Sequence, residues 1–228
     1  MHSDATLVER RIRRELGDRL MPAMYRELRP LAVEAWDTPG EPVTYREAMA
    51  ALATQARPFA VPQKWSRPWG TTWFRFTGDV PGEWSGRPVE AVFDLGFHPD
   101  AAGFQAEGLV WAPGASGDGL AVQGIPPRRT AVPLALTPGP VELVVEAASN
   151  PAFPMVGARA GHLGSLATAG DTPQYTLRQA ALGLRDDDVF HLLLDAEVLL
   201  GLLTALPVGS RRREKLLRTL ERAFDAID

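Results

Sequence analysis

From Val61 to about Leu184 apolar residues alternate with polar ones in short segments broken by Gly, Pro and Asp, whereas on either side they recur every three to four positions. A two-residue period sends successive side chains to opposite faces of a strand, and a period of about 3.6 lines them along one stripe of a helix. The pattern predicts a mainly β fold, an antiparallel sandwich or barrel flanked by helices. Over 71–77, Thr72, Phe74 and Phe76 share one face and Trp73, Arg75 and Thr77 the other, as in a half-buried strand. Over 89–95, Val89, Ala91, Phe93 and Leu95 point inward and Glu90 and Asp94 outward. Over 141–147, Val141, Leu143, Val145 and Ala147 repeat the inward set. Weaker strand candidates cover 104–106, 108–112, 130–136 and 174–184.

The flanks read as helices. Val8, Ile12, Leu16 and Leu20 fall at four-residue intervals within 6–24, with arginines interleaved by Glu9, Glu15 and Asp18 on a solvated face. Residues 29–43 are rich in Pro and Gly and read as a connecting loop. Thr44 and Glu47 then match a capping box, so a short helix is expected from Tyr45 with Met49, Leu52 and Ala53 facing the body. After Asp186, Asp187 and Asp188, which read as capping charge at a helix start, Val189, Leu192, Leu193, Ala196, Leu199, Leu200, Leu203 and Leu206 form a wide stripe. Phe190, Leu194, Val198 and Leu202 extend it round most of the helix, which implies burial on more than one side. Pro207 and Gly209 end that helix, and a second from Ser210 carries Leu216, Leu217, Leu220, Phe224 and Ile227. The expected division is a helical segment and loop over 1–60, a β-sandwich over 61–185 and a helical hairpin over 186–228.

A formal charge of -4 provides no basic field for phosphates, so nucleic acid is not an expected partner. The chain has no cysteine, which removes disulfides, thiolate nucleophiles and Cys-ligated zinc and fits a reducing compartment. The first residues are charged throughout, unlike a secretory signal, and no run of about 20 apolar residues occurs. A cytoplasmic location without membrane insertion is the expectation.

The chemistry-bearing side chains favour structural roles. Asp94, Asp100, Glu107, Glu142 and Glu146 are the candidate carboxyls for paired acid–base chemistry, which needs a closely spaced pair with one member kept protonated. Glu142 and Glu146 are expected on a solvated strand face, and Asp94 and Glu107 in structural hydrogen bonds. The four histidines, His2, His98, His162 and His191, are remote from one another. His191 and Asp195 have helical i, i+4 spacing but make only part of a metal site. The Gly-rich stretch around 114–119 lacks a phosphate-loop pattern and reads as a surface turn. Trp65, Trp69, Trp73, Trp84 and Trp111 are candidates for core or interdomain packing, or for stacking on a glycan. Trp69 and Trp73 are expected to be buried. No catalytic and no metal-binding residue is assigned.

Three segments carry a specific resemblance: RPWGTTWF at 67–74, AEGLVW at 106–111 and VVEAASNP at 144–151. AVFDLGF at 91–97, PPRRT at 126–130 and LATAGDTPQY at 166–175 add to it, as do LAVEAWDTPGEPV near the start and SRRREKLLRTLERAFDAID at the end. Together they resemble the N-terminal region of glycoside hydrolase family 38 α-mannosidases of the cytosolic and bacterial type. The resemblance implies a jelly-roll-like β-sandwich with N-terminal helices and a C-terminal hairpin leading toward a catalytic barrel. In that family zinc is held by His and Asp from an H-x-H-x-D-x-x-W motif, and an aspartate attacks the anomeric carbon with retention. No H-x-H occurs here. The implied role is therefore non-catalytic, with zinc in a downstream catalytic domain of the same polypeptide, which becomes the expected partner. The resemblance also admits α-mannoside glycans and a second copy of the chain as partners, and a mannose-binding module is the alternative role. Between Trp111 and Pro126 the stretch APGASGDGLAVQGI replaces the family's shorter Asp-Gly turn.

Overall fold

The computed structural model describes residues 2–98, 105–114, 117–135, 137–151, 167 and 169–227, with side chains from residue 5 onward. Expectations resting on Asp100, Phe104, Leu136, His162 and the side chain of His2 lie outside the described residues. The chain divides into two compact units, one of residues 1–27 and 184–228 and one of residues 28–183.

The larger unit is built of antiparallel strands. In chain order they are β1 (Tyr25–Pro30), β2 (Ala32–Asp37), β3 (Arg57–Pro58), β4 (Gln63–Trp65), β5 (Thr71–Val80), β6 (Val89–Asp94), β7 (Glu107–Pro113), β8 (Gly119–Ile125), β9 (Ala131–Pro133), β10 (Gly139–Ala148), β11 (Tyr175–Leu177) and β12 (Gln179–Arg185). They form a six-stranded sheet in the order β3-β2-β5-β10-β7-β8, a four-stranded sheet in the order β1-β12-β6-β9, and the pair β11-β4. Phe76 of β5 meets Phe93 of β6 with ring centroids 4.7 Å apart, so the two larger sheets close on one aromatic core. Phe59 and Trp65 pack edge-on against Phe74 at 5.4 and 5.8 Å in the same core.

The expected loop over 29–43 is instead largely strand. Val33 and Ala35 of β2 are buried, and β2 pairs with β5 from Ala32↔Thr77 to Asp37↔Thr72. Proline and glycine at the edges of 29–43 masked a short alternating run whose partner lies forty residues on. The sheet unit accordingly begins at Leu28 rather than at 61. The Gly-rich stretch 112–125 likewise supplies β8, paired to β7 with a bulge between Val110 and Trp111. Strand β5 is not half-buried, because Thr71, Thr72, Trp73 and Phe74 are all covered. Glu90, expected outward, is only 6% exposed.

The second face of β5 is covered by α3 (Tyr45–Gln55), whose capping box forms as expected: Thr44 accepts from the Glu47 N–H, and Glu47 accepts from that of Thr44. Tyr45, Ala48 and Leu52 of α3 pack on Trp73 and Val144, with Met49 beside them. Ala53 is exposed, since the covered stripe runs through positions 45, 48 and 52. Arg46 on α3 pairs with Asp118 in the β7–β8 connection at 3.1 Å.

The smaller unit consists of α1 (His2–Glu15), a π-helical turn Leu16–Leu20, α2 (Met21–Ala23), α4 (Asp187–Ala205) and α5 (Arg211–Asp225). Its core joins Ile12 and Leu20 to Leu193, Ala196, Leu200 and Leu203 of α4 and to Leu217, Leu220 and Phe224 of α5, much as the helical periodicity implies. Glu9 of α1 pairs with Arg213 of α5 at 2.6 Å, and Arg11 with Asp225 at 2.8 Å. Asp186 caps α4 by accepting from the N–H groups of Asp188 and Val189, and Arg26 bonds the same carboxyl, holding it below its usual range. The expectation of burial on two sides of α4 fails on one: Leu194, Val198 and Leu202 are 45%, 70% and 36% exposed.

Gly119 tests how tightly the hairpin end fits. A Cβ there would lie 2.6 Å from a ring carbon of Trp111 and closer still to the ring of Tyr45. Gly119→Ala is expected to destabilise the chain by roughly 1–3 kcal/mol, the usual effect of overpacking, as read from the midpoint of denaturant unfolding.

Candidate functional site

Several of the segments that carry the resemblance meet at one end of the sandwich. Trp65 on β4 is buried; its Nε1 donates to the Leu95 carbonyl at 2.8 Å and its ring stacks on Tyr175 at 5.9 Å. The Tyr175 hydroxyl donates to the Asn150 carbonyl, and burial pushes its pKa up to about 12 against an opposing backbone hydrogen bond with Ala106. Asn150 donates in turn to the Gln105 carbonyl at 3.3 Å. The Gln105 side chain, itself buried, accepts from His98 N–H at 2.6 Å and donates to the His98 carbonyl at 3.2 Å. Beyond the end of β5, Trp69 N–H donates to the Ser149 carbonyl at 2.8 Å, and Ser149 N–H to the Gly70 carbonyl at 2.9 Å.

Asp94 is the most heavily bonded carboxylate of this end. Arg178 grips it with a fork at 2.7 and 3.0 Å and also donates to the Phe97 carbonyl at 2.7 Å. Gly96 and Phe97 N–H groups add contacts at 2.9 and 3.3 Å. A carboxylate so engaged is a structural anchor, because its lone pairs are directed at donors that hold a loop. Gly96 sits at φ 101°, and a Cβ there would come 2.8 Å from the Thr176 backbone. Asn150, Tyr175 and Gly96 lie within the quoted segments without being marked there as site residues, and Gln105 and Arg178 lie just outside them with no sequence signal of their own.

The turn 66–70 is strained. Ser66 and Trp69 adopt φ of 45° and 64°, in the region that residues with a Cβ seldom enter. Such residues cost of order 1–3 kcal/mol each and persist only where the surroundings over-determine them. Here the two Ser149 backbone bonds and an ion pair between Arg67 and Asp171 at 3.2 Å supply that constraint. Trp69, expected to be buried, is 37% exposed.

The remaining tryptophans lie elsewhere in the sheet unit. Trp73 is fully buried under α3, with Tyr45 at 6.3 Å and Trp111 at 6.0 Å. Trp111 is partly exposed, and its Nε1 donates to Glu146 Oε2 at 3.1 Å. Glu146 therefore does not stand on a solvated face as expected: desolvation raises its pKa, and the Trp111 hydrogen bond opposes that. Trp84 is buried beneath the Arg29 guanidinium, 5.5 Å from its ring.

For acid–base or metal chemistry the described residues offer little. Glu107 and Glu142 are exposed. His191 Nδ1 bonds the Asp187 carbonyl at 2.7 Å within its own helix. Among the described residues no three His, Asp or Glu side chains converge as a metal site requires, so these residues do not fit zinc.

Comparison with known families matches residues 29–183 to the family described as "Alpha-mannosidase, jelly roll domain". The matched span contains every strand from β2 to β11. No curated protein matches the chain.

Glu146 gives a pH-dependent test. Its folded-state pKa is raised, so the folded state holds the proton more tightly than the unfolded chain does. The stability this contributes is full below the unfolded-state pKa and is lost as pH rises through the folded one. Glu146→Gln, which keeps an oxygen acceptor for Trp111, is expected to melt higher than the parent near pH 7, with the gap closing toward pH 4. Thermal melts across that window measure it.

Proposed function

Because the chain belongs to the family of α-mannosidase jelly-roll domains, we propose that it serves as the non-catalytic N-terminal region of a zinc-dependent, retaining α-mannosidase, with a scaffolding and interdomain role. In this reading the zinc, or another divalent cation, and the catalytic carboxylates belong to the catalytic domain of the same polypeptide, and the protein works in the cytoplasm. No helix among the described residues is long and apolar enough to cross a membrane.

One observation carries the reading. Residues of the segments that mark the family bond to one another or to close neighbours of those segments: Tyr175 to Asn150, Trp69 to Ser149, Leu95 to Trp65 and Asp94 to Arg178. A catalytic constellation leaves its nucleophile and acid free to reach substrate; here backbone and side-chain groups of the segments fix the shape of one end of a sandwich. That suits a rigid surface against which another domain is positioned. On an aryl α-mannoside with added zinc or cobalt, the chain of residues 1–228 is expected to show no turnover above buffer, and clear turnover would overturn the proposal.

Exposure of Trp69 on a strained turn favours a second reading, a mannose-type glycan module that stacks sugar on its indole. Titration with mannobiose up to millimolar concentration, followed by indole fluorescence, separates the two. The scaffolding role gives a flat response, whereas the glycan module gives a saturable change that Trp69→Ala abolishes.

A further inference from the structure

Helix α5 turns a line of cations to water. Arg211, Lys215, Arg218 and Arg222 follow one another at intervals of four, three and four residues, and all are exposed. At about 100° and about 1.5 Å per residue they share an arc of roughly 60° and extend over roughly 16 Å, on the side away from the buried Leu217, Leu220 and Phe224. Other arginines of the helical unit hold carboxylates: Arg11 that of Asp225 at 2.8 Å, and Arg13 and Arg213 that of Glu9 at 2.9 and 2.6 Å. None of the four cations of the stripe forms an ion pair among the described residues. Glu221 and Asp225, which border them on α5, turn to Arg11.

This arrangement costs the helix stability. Like charges at i, i+3 and i, i+4 repel, and Arg211 and Arg212 add positive charge at the start of α5, where the helix dipole is already positive. A face that is merely solvated mixes its signs, as α1 does where Glu9 and Arg13 pair four residues apart. We infer that the stripe is a docking surface for an acidic helical segment of a separate protein, with carboxylates repeating at the same intervals of four, three and four residues. Asp or Glu at i, i+4, i+7 and i+11 of such a helix share one face over the same length. Each arginine offers a forked donor to a carboxylate, and the short exposed side chains of Thr219 and Ala223 beside the stripe let a second helix approach.

The face suits other polyanions less well. The aromatic residue of α5, Phe224, is buried, so a nucleobase finds no ring to stack on. The apolar residues that would enter a lipid surface are packed in the core. The formal charge of the chain is -4 with these cations included, so the rest of it is more acidic still. An extended anionic surface such as a membrane or a duplex meets that repulsion, whereas a short helix sees mainly the stripe, within a Debye length of about 8 Å. A contact formed once with folding buries apolar surface; a charged face with short side chains suits a reversible encounter steered by charge. The inference rests on α5 alone and is independent of the α-mannosidase reading.

The probe is a fluorescein-labelled, alanine-based helix of about 18 residues with Glu at i, i+4, i+7 and i+11; a control peptide of the same composition spreads its four Glu round the helix. Exposed ion pairs are individually weak, so the chain is expected to bind the probe with a dissociation constant of roughly hundreds of micromolar at about 20 mM salt, and about tenfold more weakly at about 150 mM, by fluorescence anisotropy. Arg218→Glu, in the middle of the stripe, is expected to weaken binding about tenfold. Lys64→Glu makes the same change of charge at an exposed position of β4 and is expected to weaken it less than about twofold. Circular dichroism checks that each variant folds. Lys215→Gln is expected to bind more weakly yet melt no lower than the parent, and a lower melting temperature would mean that the stripe serves the fold. The inference is overturned by an absence of binding up to about 1 mM chain at about 20 mM salt, or by equal affinity for the control peptide. Tighter binding of a short single-stranded oligonucleotide, or of phosphatidylcholine vesicles with about 30% phosphatidylserine, also overturns it.

Discussion

The register between β5 and β10 is the constraint on which the larger unit depends. Ten consecutive residue pairs, from Gly139↔Val80 to Ala148↔Thr71, fix it. Because side chains alternate across a strand, this register sends Phe74, Phe76, Val145 and Ala147 into the core between the sheets, and Trp73, Val144 and Glu146 to the face under α3. A slip of one residue would exchange the two sets and bury Glu146 among phenylalanines. The same pairing delivers the chain ends of the site. With Thr71 opposite Ala148, the turn 66–70 and the segment 149–151 must emerge side by side, where their backbones bond.

Each part of the motif-bearing end has a partner from a distant part of the chain. Asp94 closes the loop after β6 by accepting from Gly96 and Phe97, and Arg178, between β11 and β12, clamps that loop from outside. Trp65 spans the gap to Leu95 while resting on Tyr175. Positive φ at Ser66 and Trp69 is tolerable only within such a web, since neither residue would choose it in isolation. The outcome is a stiff end carrying a partly exposed indole, well suited to presenting a fixed surface and poorly suited to moving protons.

The helical unit follows a different logic. Helices α1 and α5 each bury one stripe and turn arginines outward, with pairs such as Glu9–Arg213 fixing their alignment. Helix α4 lies in the same core yet keeps an apolar outer side. Its sequence is apolar on two sides, and the described residues cover one of them.

Several features were legible in the residues because they are local. The capping box at Thr44 and Glu47, the Asp186 cap, the main helical stripes and the existence of β5, β6 and β10 each depend on neighbours within a turn or a strand, and these formed as the pattern requires. Tertiary structure decided what depends on distant partners. It made strand of 29–43 because β5 offered a free edge, covered the second face of β5 with α3, placed Glu146 beneath Trp111, and left Trp69 in view while hiding Trp73. Periodicity states which side chains share a face; only the packing of elements remote in sequence determines whether that face meets protein or water.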